Sequence, residues 1–99
     1  MRVEITAEAE RNLSEITLHI AEDSPAAAAD FLRRLRDACD GLSDFPERFP
    51  LVGRFAELGI RHRVVGNYLI FYRVESDRVS VLHVLHGAVD YGPLIDRPR

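Results

Sequence analysis

Apolar and polar positions alternate along Arg2-Val3-Glu4-Ile5-Thr6, which is the period of a strand with one covered face. After Thr6 the period changes. Ala9, Leu13, Ile16 and Ile20 recur at helical spacing and define one buried stripe. Thr6 is suited to cap that helix, and Glu8 and Glu10 stand in its first turn against the positive end of the dipole. The helix is expected to end near Glu22–Asp23, and Ser24-Pro25 then supplies an N-cap and an N1 proline for a second one. This second helix runs to about Leu42, with Ala28, Phe31, Leu32, Leu35, Ala38, Cys39 and Leu42 on its inner face. Asp30–Arg34, Arg33–Asp37 and Arg36–Asp40 are spaced as i,i+4 pairs on its outside, each worth about 0.3 kcal/mol. Their arginines therefore read as a solvated face rather than a basic patch.

Pro46, Pro50 and Gly53 make Phe45 to Leu58 an ordered loop, with Phe45, Phe49 and Phe55 expected to pin it to the body. Three β-type runs follow near 60–65, 68–75 and 78–86, with turns at Gly66-Asn67 and Ser76-Asp77. The order is β-α-α-β-β-β. It predicts an α+β fold with a mostly antiparallel sheet packed against a helical hairpin. Residues 1–90 form one domain and 91–99 a C-terminal tail in which Pro93 and Pro98 exclude a helix or a central strand.

The register of the first hairpin decides what the arginines do. A two-residue turn at Gly66-Asn67 pairs Arg61 with Tyr72 and Arg63 with Ile70. A three-residue loop, Val65 to Asn67, pairs Arg61 with Phe71 and Arg63 with Leu69. The second collects Arg61, Arg63 and Arg73 on one face and leaves Ile60, Val64, Tyr68, Ile70 and Tyr72 on the other. A one-residue slip exchanges faces, so segregation of charge favours the three-residue loop. The arginine face would also carry Leu69, Phe71, Leu82 and Val84, with Ser80 and His86 at its margins. An apolar centre within an arginine rim suggests a surface covered by a partner; the alternative is that the 45–58 loop or the tail folds over it.

Composition narrows the class. The chain has 99 residues, enough for a single core, and is 46% hydrophobic and 29% charged, which is ordinary for a globular domain. No signal peptide or membrane-length apolar run is evident, so a cytoplasmic protein is expected. All 13 basic residues are arginine, yet the net charge is −3, against a protein whose main task is gripping nucleic acid. Cys39, the single cysteine, reads as a small core residue. His62, His83 and His86 lie on alternating faces with no carboxylate at matching spacing, so neither a metal nor another cofactor is expected. His83 reads as an interior histidine on the core side. His86, at the strand end beside Gly87, is the histidine with functional promise.

The segments G-I-R (59–61), Y-L-I-F-Y-R-V (68–74) and V-L-H-G-A-x-D (84–90), after a helix pair and a Pro-Gly loop, resemble the ParE/RelE superfamily of type II toxin–antitoxin toxins, with the ParE branch closer. The resemblance runs from the first strand to Asp90. It implies the β-α-α-β-β-β fold already read and a bacterial cytoplasmic toxin neutralised by a ParD-like antitoxin. RelE-like members are ribosome-dependent endoribonucleases, whereas ParE-like members inhibit DNA gyrase, the target expected here. Cleavage through a 2′-OH needs a base, an acid and cations around the phosphorane. On the strand motifs, Arg61 and Arg63 match two basic positions of RelE-like toxins. Leu69 and Val89, however, stand where those toxins carry arginine, and neither side chain can move a proton. Many ParE-like chains also carry arginine at the Val89 position. The resemblance thus favours an inhibitor over a nuclease, with a weakly active toxin fold kept for antitoxin binding as a third reading.

Arg61, Arg63, Arg73, His86, Asp90 and Tyr91 are the candidates for toxicity or target contact, Asp90 being placed to pair with Arg73. Leu69, Phe71, Leu82 and Val84, with Arg61 and Arg63, are the candidates for antitoxin contact. No membrane and no sequence-specific nucleic acid is expected as a direct partner.

Overall fold

Residues 1–95 are described by the computed structural model; 96–99, with Pro98, lie outside the described residues. Strand β1 (Arg2–Ile5) leads into α1 (Ala7–Ala21), whose N-cap Thr6 accepts from the Ala9 N–H through its hydroxyl. Helix α2 (Pro25–Asp40) starts on Ser24, which accepts the Ala27 N–H, with Pro25 at its first position. It stops two residues before the expected Leu42, which stays buried in a 3-10 turn over Gly41–Ser43. On the outer face Arg33 pairs with Asp30 one turn back, and Arg36 crosses the hairpin to Glu10 at 2.8 Å. Arg33 and Arg36 thus take partners other than the predicted i,i+4 ones.

Strands β2 (Ile60–Val65), β3 (Tyr68–Val74) and β4 (Arg78–His86) stand within one residue of where periodicity put them. The sheet order is β1-β4-β3-β2, with β1 parallel to β4 and the other pairs antiparallel. Helices α1 and α2 cover one face, with Leu13, Leu35, Cys39, Ile70, Tyr72 and Val81 at the centre of that core. Among the described residues no helix is long and apolar enough to cross a membrane.

The hairpin register is the two-residue alternative, not the favoured three-residue loop. Arg61 pairs with Tyr72, Arg63 with Ile70 and Val65 with Tyr68. Gly66 takes φ 58° in the first turn position, and a Cβ there would stand 3.4 Å from the Phe31 ring. Segregation of charge was the wrong criterion, since Arg61 and Arg63 are not solvated charges. They point to the helix side, where loop and helix carbonyls need donors.

A bulge in β4 overturns a second expectation. Leu82 falls between Val81, opposite Tyr72, and His83, opposite Phe71. The extra residue splits the expected face. Val84 turns to the helix side and is buried there, while Leu82 stays on the other side with Leu85. His83 likewise lies opposite Phe71 rather than on the helix-side core. The freed backbone groups find side chains: Asn12 Oδ1 accepts the Val84 N–H at 2.9 Å, and the Thr6 hydroxyl donates to Val81 O at 2.8 Å.

The second face is covered by the chain itself. Val52, Phe55, Ile60, Phe71 and Leu82 form a second buried cluster, with Leu69, Leu85, Tyr91 and Ile95 packed against it. The 45–58 segment contributes through 3-10 turns at Pro46–Arg48 and Gly53–Leu58. The tail contributes a single helical turn, α3 (Gly92–Ile95), where no helix was expected. Proline is tolerated there because it falls in the first turn, where its missing N–H has no intrahelical role. Phe71, Leu82 and Val84 are therefore not an exposed partner surface.

Burial leaves a pH signature. Desolvation, with Asp40 nearby, pushes the Cys39 thiol from 9.0 up to about 11, and burial raises the Tyr72 phenol as well. Both groups hold their protons more tightly when folded. Their contribution is therefore complete below the unfolded values and fades as pH climbs through the folded ones. Denaturant unfolding from pH 8.5 to 11 is expected to show a loss on the order of 2 kcal/mol attributable to Cys39. Cys39→Ala should flatten that slope. A pH-independent midpoint in the parent chain would contradict the burial of both groups.

Candidate functional site

Three side chains of the sheet hold one loop. The Arg61 guanidinium donates to the carbonyls of Glu47 (3.0 Å) and Phe49 (2.7 Å), and the Tyr72 hydroxyl donates to the Pro46 carbonyl. Arg63 donates to Ala38 O at 3.0 Å in the last turn of α2, where a cation also meets the negative end of the helix dipole. Arg48 and Arg63 lie over the Phe49 ring at 4.8 and 5.0 Å. Arg48 also donates to Gly41 O at 3.3 Å. Arg61 and Arg63 are thus structural donors as well as cations.

Arg73 does not join them. It lies on the opposite face beside Gly59, whose φ of 73° lets the backbone turn there, and it pairs with Glu75 at 3.8 Å. Glu75 in turn accepts the Ser80 hydroxyl, which with Arg78 and Arg73 holds its carboxyl below the usual range. Asp90 is exposed and Arg73 pairs elsewhere, which corrects the predicted Asp90–Arg73 pair. Tyr91 stacks obliquely on Phe71 at 4.9 Å, as a cover for the second cluster. His86 lies edge-on to Tyr68 at 5.1 Å, and Tyr68 tilts against Phe31 at 5.4 Å with Arg34 over that ring. His86 Nδ1 accepts the Ala88 N–H at 3.0 Å. The candidate toxicity residues therefore divide among three places rather than forming one constellation.

Two concave surfaces stand out among the described residues. A groove of about 530 Å³ between α2 and β2 is lined by Arg34, Asp37, Arg48, Arg63 and Val64. It borders the free edge of β2, which the 50–52 segment covers only in part, through His62 N–H to Pro50 O and Val52 N–H to Ile60 O. Val64, further along that edge, is 60% exposed. Beyond the groove's Asp44 stands Phe45, 81% exposed and at φ 47°. Neither Phe45 nor the groove was found from sequence; an aromatic before a proline reads as an anchor, and no pattern marks a left-handed phenylalanine. The second surface is a polar cleft of about 590 Å³ lined by Thr6, Arg11, Asn12, His83, Leu85 and Ile95. Among the described residues no group of three histidine, cysteine or carboxylate side chains is placed to hold a metal.

A family model described as the ParE toxin of the type II toxin–antitoxin system parDE matches residues 3–91. Toxin RelE2 of Caulobacter vibrioides is 36% identical over 78 residues, covering 78% of this chain and 84% of that one. Among solved structures, the chromosomal ParDE toxin–antitoxin system of P. aeruginosa superposes with a TM-score of 0.74 at 17% identity, covering 87% of this chain and 95% of that one. The toxin–antitoxin complex RelBE2 of Mycobacterium tuberculosis gives 0.62 at 27% identity, covering 86% and 88%.

Proposed function

The chain belongs to the ParE family of type II toxin–antitoxin toxins, and on that premise we propose that it inhibits DNA gyrase in the cytoplasm and is neutralised by direct binding of a ParD-like antitoxin. The observation that carries the non-nucleolytic reading is the use of Arg61 and Arg63. Their guanidiniums are committed to the carbonyls of Glu47, Phe49 and Ala38, and Arg61 retains only 19% side-chain exposure. A nuclease needs such cations turned toward a phosphate, together with an acid and a base. Arg73 is on the far face, and Leu69 and Val89 offer neither charge nor proton. An inhibitor that works by binding needs none of these groups.

The antitoxin's place follows from what is still open. With the outer sheet face covered by Tyr91, Ile95 and the 50–58 segment, the groove beside the partly open β2 edge suits an acidic extended segment, which Arg34 and Arg48 would meet. Of the earlier antitoxin candidates, Leu69 keeps partial exposure, whereas Phe71, Leu82 and Val84 do not.

The rival is ribosome-dependent mRNA cleavage, which the 36% identity to a protein named Toxin RelE2 favours. Purified chain, freed of antitoxin, is expected to inhibit gyrase supercoiling or trap its cleavage products while leaving ribosome-bound mRNA whole. Induced cells should slow with a DNA-damage response ahead of any fall in amino-acid incorporation. Cuts at the ribosomal A site with gyrase unaffected would reverse the assignment. A chain that does neither, and leaves growth unchanged, would be a toxin fold kept for antitoxin binding.

A further inference from the structure

Phe45 carries two features that a folded chain normally removes. The residue is 81% exposed, and its backbone sits in the left-handed region at φ 47°, ψ 59°. A bulky side chain is a real outlier there, since its Cβ crowds the following carbonyl. Such strain persists only where the surroundings over-determine it. Here they do. The next residues are fixed through the carbonyls of Pro46, Glu47 and Phe49 by Tyr72 and Arg61, and the Arg48 N–H closes the turn on Phe45 O at 3.0 Å. On the other side the N-terminal ammonium donates to Ser43 O at 3.1 Å. The turn is a rigid mount, and the ring on it touches little of its own chain.

We infer that the Phe45 turn is a pre-organised recognition element that inserts its ring into an apolar pocket, rimmed by cationic side chains, on the protein this toxin acts upon. The charge rim comes from the flanks. Asp44 and Glu47 flank Phe45 in sequence and are exposed, Glu47 with 75% of its side chain accessible although its carboxylate lies 3.9 Å from Arg61, while Arg48 is turned to Gly41 O and the Phe49 ring. The α2–β2 groove, by contrast, sets Arg34, Arg48 and Arg63 against Asp37 and Asp44, a small basic excess that suits an acidic segment. The two surfaces meet at Asp44 and differ in net sign, which assigns the antitoxin to the groove and the target to the ring. A backbone fixed in advance loses little freedom on binding and aims the ring outward, which is the property of an interface anchor.

This rests on the reading that the target is a protein. The test uses full-length Phe45→Gly, Phe45→Asn and Phe45→Trp. Glycine and asparagine accept the left-handed backbone, so both variants should melt no lower than the parent chain. Both should need about tenfold or more protein for half-maximal inhibition of growth and of purified gyrase supercoiling. Phe45→Trp should keep most of the inhibition, and all three should still co-purify with the co-expressed antitoxin. Asp44→Asn with Glu47→Gln should make inhibition less sensitive to salt. Full inhibition by the glycine and asparagine variants would overturn the inference, as would a lowered melting temperature. Loss of antitoxin binding would instead place the ring in that interface. A parent dimer split by Phe45→Gly would make a second copy its occupant; either outcome sinks the proposal. A parent chain without effect on gyrase or growth would fail the functional reading first, before any variant is compared.

Discussion

Arg61→Ala is expected to lower the melting temperature by about 10 °C or more and to free the backbone from Phe45 to Pro50. The guanidinium serves two carbonyls at once, Glu47 O at 3.0 Å and Phe49 O at 2.7 Å, from a side chain only 19% exposed. A hydrogen bond to a charged group contributes roughly 1.5–3 kcal/mol, and a carbonyl left dry costs about as much again unless water reaches it. A net loss of about 2–3 kcal/mol is the moderate expectation, and each kcal/mol moves the midpoint of a domain this size by about 4–8 °C. Arg61→Lys should recover part of the loss, because both bonds leave one nitrogen, Nη1, and an ammonium has donors for two carbonyls but sits on a shorter side chain. A phosphate-binding arginine would behave in the opposite way, losing activity at unchanged stability. Thermal unfolding with amide exchange at Arg48, whose N–H bonds Phe45 O, separates the two. A midpoint within about 2 °C of the parent would return Arg61 to the list of target-facing residues.

The distinction matters because it marks where sequence reading stopped. Local signals were legible. Thr6 and Ser24-Pro25 start helices where capping chemistry says they should, and β2, β3 and β4 sit where apolar periodicity places them. The same holds for the family, because its motifs lie on those strands and the residues that flank them. What failed was long-range. Choosing between two hairpin registers required knowing that carbonyls 47 and 49 would come to lie against β2, and no local pattern carries that. The bulge at Leu82 was equally silent, with no glycine to mark it, and it alone moves Val84 and His83 to opposite faces from those expected.

The candidate site suffered from the same cause. Grouping Arg61, Arg63 and Arg73 assumed an unbroken alternation on the preferred register. With the register moved by one, Arg73 parts from the other two, and the apolar residues meant for a partner become an internal core. The alternative reading of the same residues, that loop and tail cover the face, is the one realised. Phe45 was misread for a different reason. Hydrophobicity normally argues for burial, and only an explicit backbone angle reveals a ring held outward.

Ending the chain after Asp90 should cost about 3 kcal/mol and expose an apolar face without unfolding the domain. Tyr91 contacts Phe71 at 4.9 Å between ring centroids, and Ile95 packs on the same cluster. An aromatic pair contributes about 0.5–1.5 kcal/mol beyond its area, and uncovering roughly 100 Å² of apolar surface removes about 2.5 kcal/mol more. The helix-side core with Leu13, Leu35, Tyr72 and Val81 does not depend on the tail, so cooperative folding should survive. The truncated chain should then bind an apolar dye through Phe71, Leu69 and Leu85, and associate as concentration rises. Tyr91→Ala should show about half the loss, and Tyr91→Phe almost none, because the contact is through the ring. If the tail also faces the target, inhibition of gyrase will fall with Tyr91→Phe even though stability does not. That split assigns the phenol to function and the ring to the fold. An unchanged melting temperature on truncation would mean that the second cluster holds without its cover, and that Phe71 and Leu82 are shielded by the 50–58 segment alone.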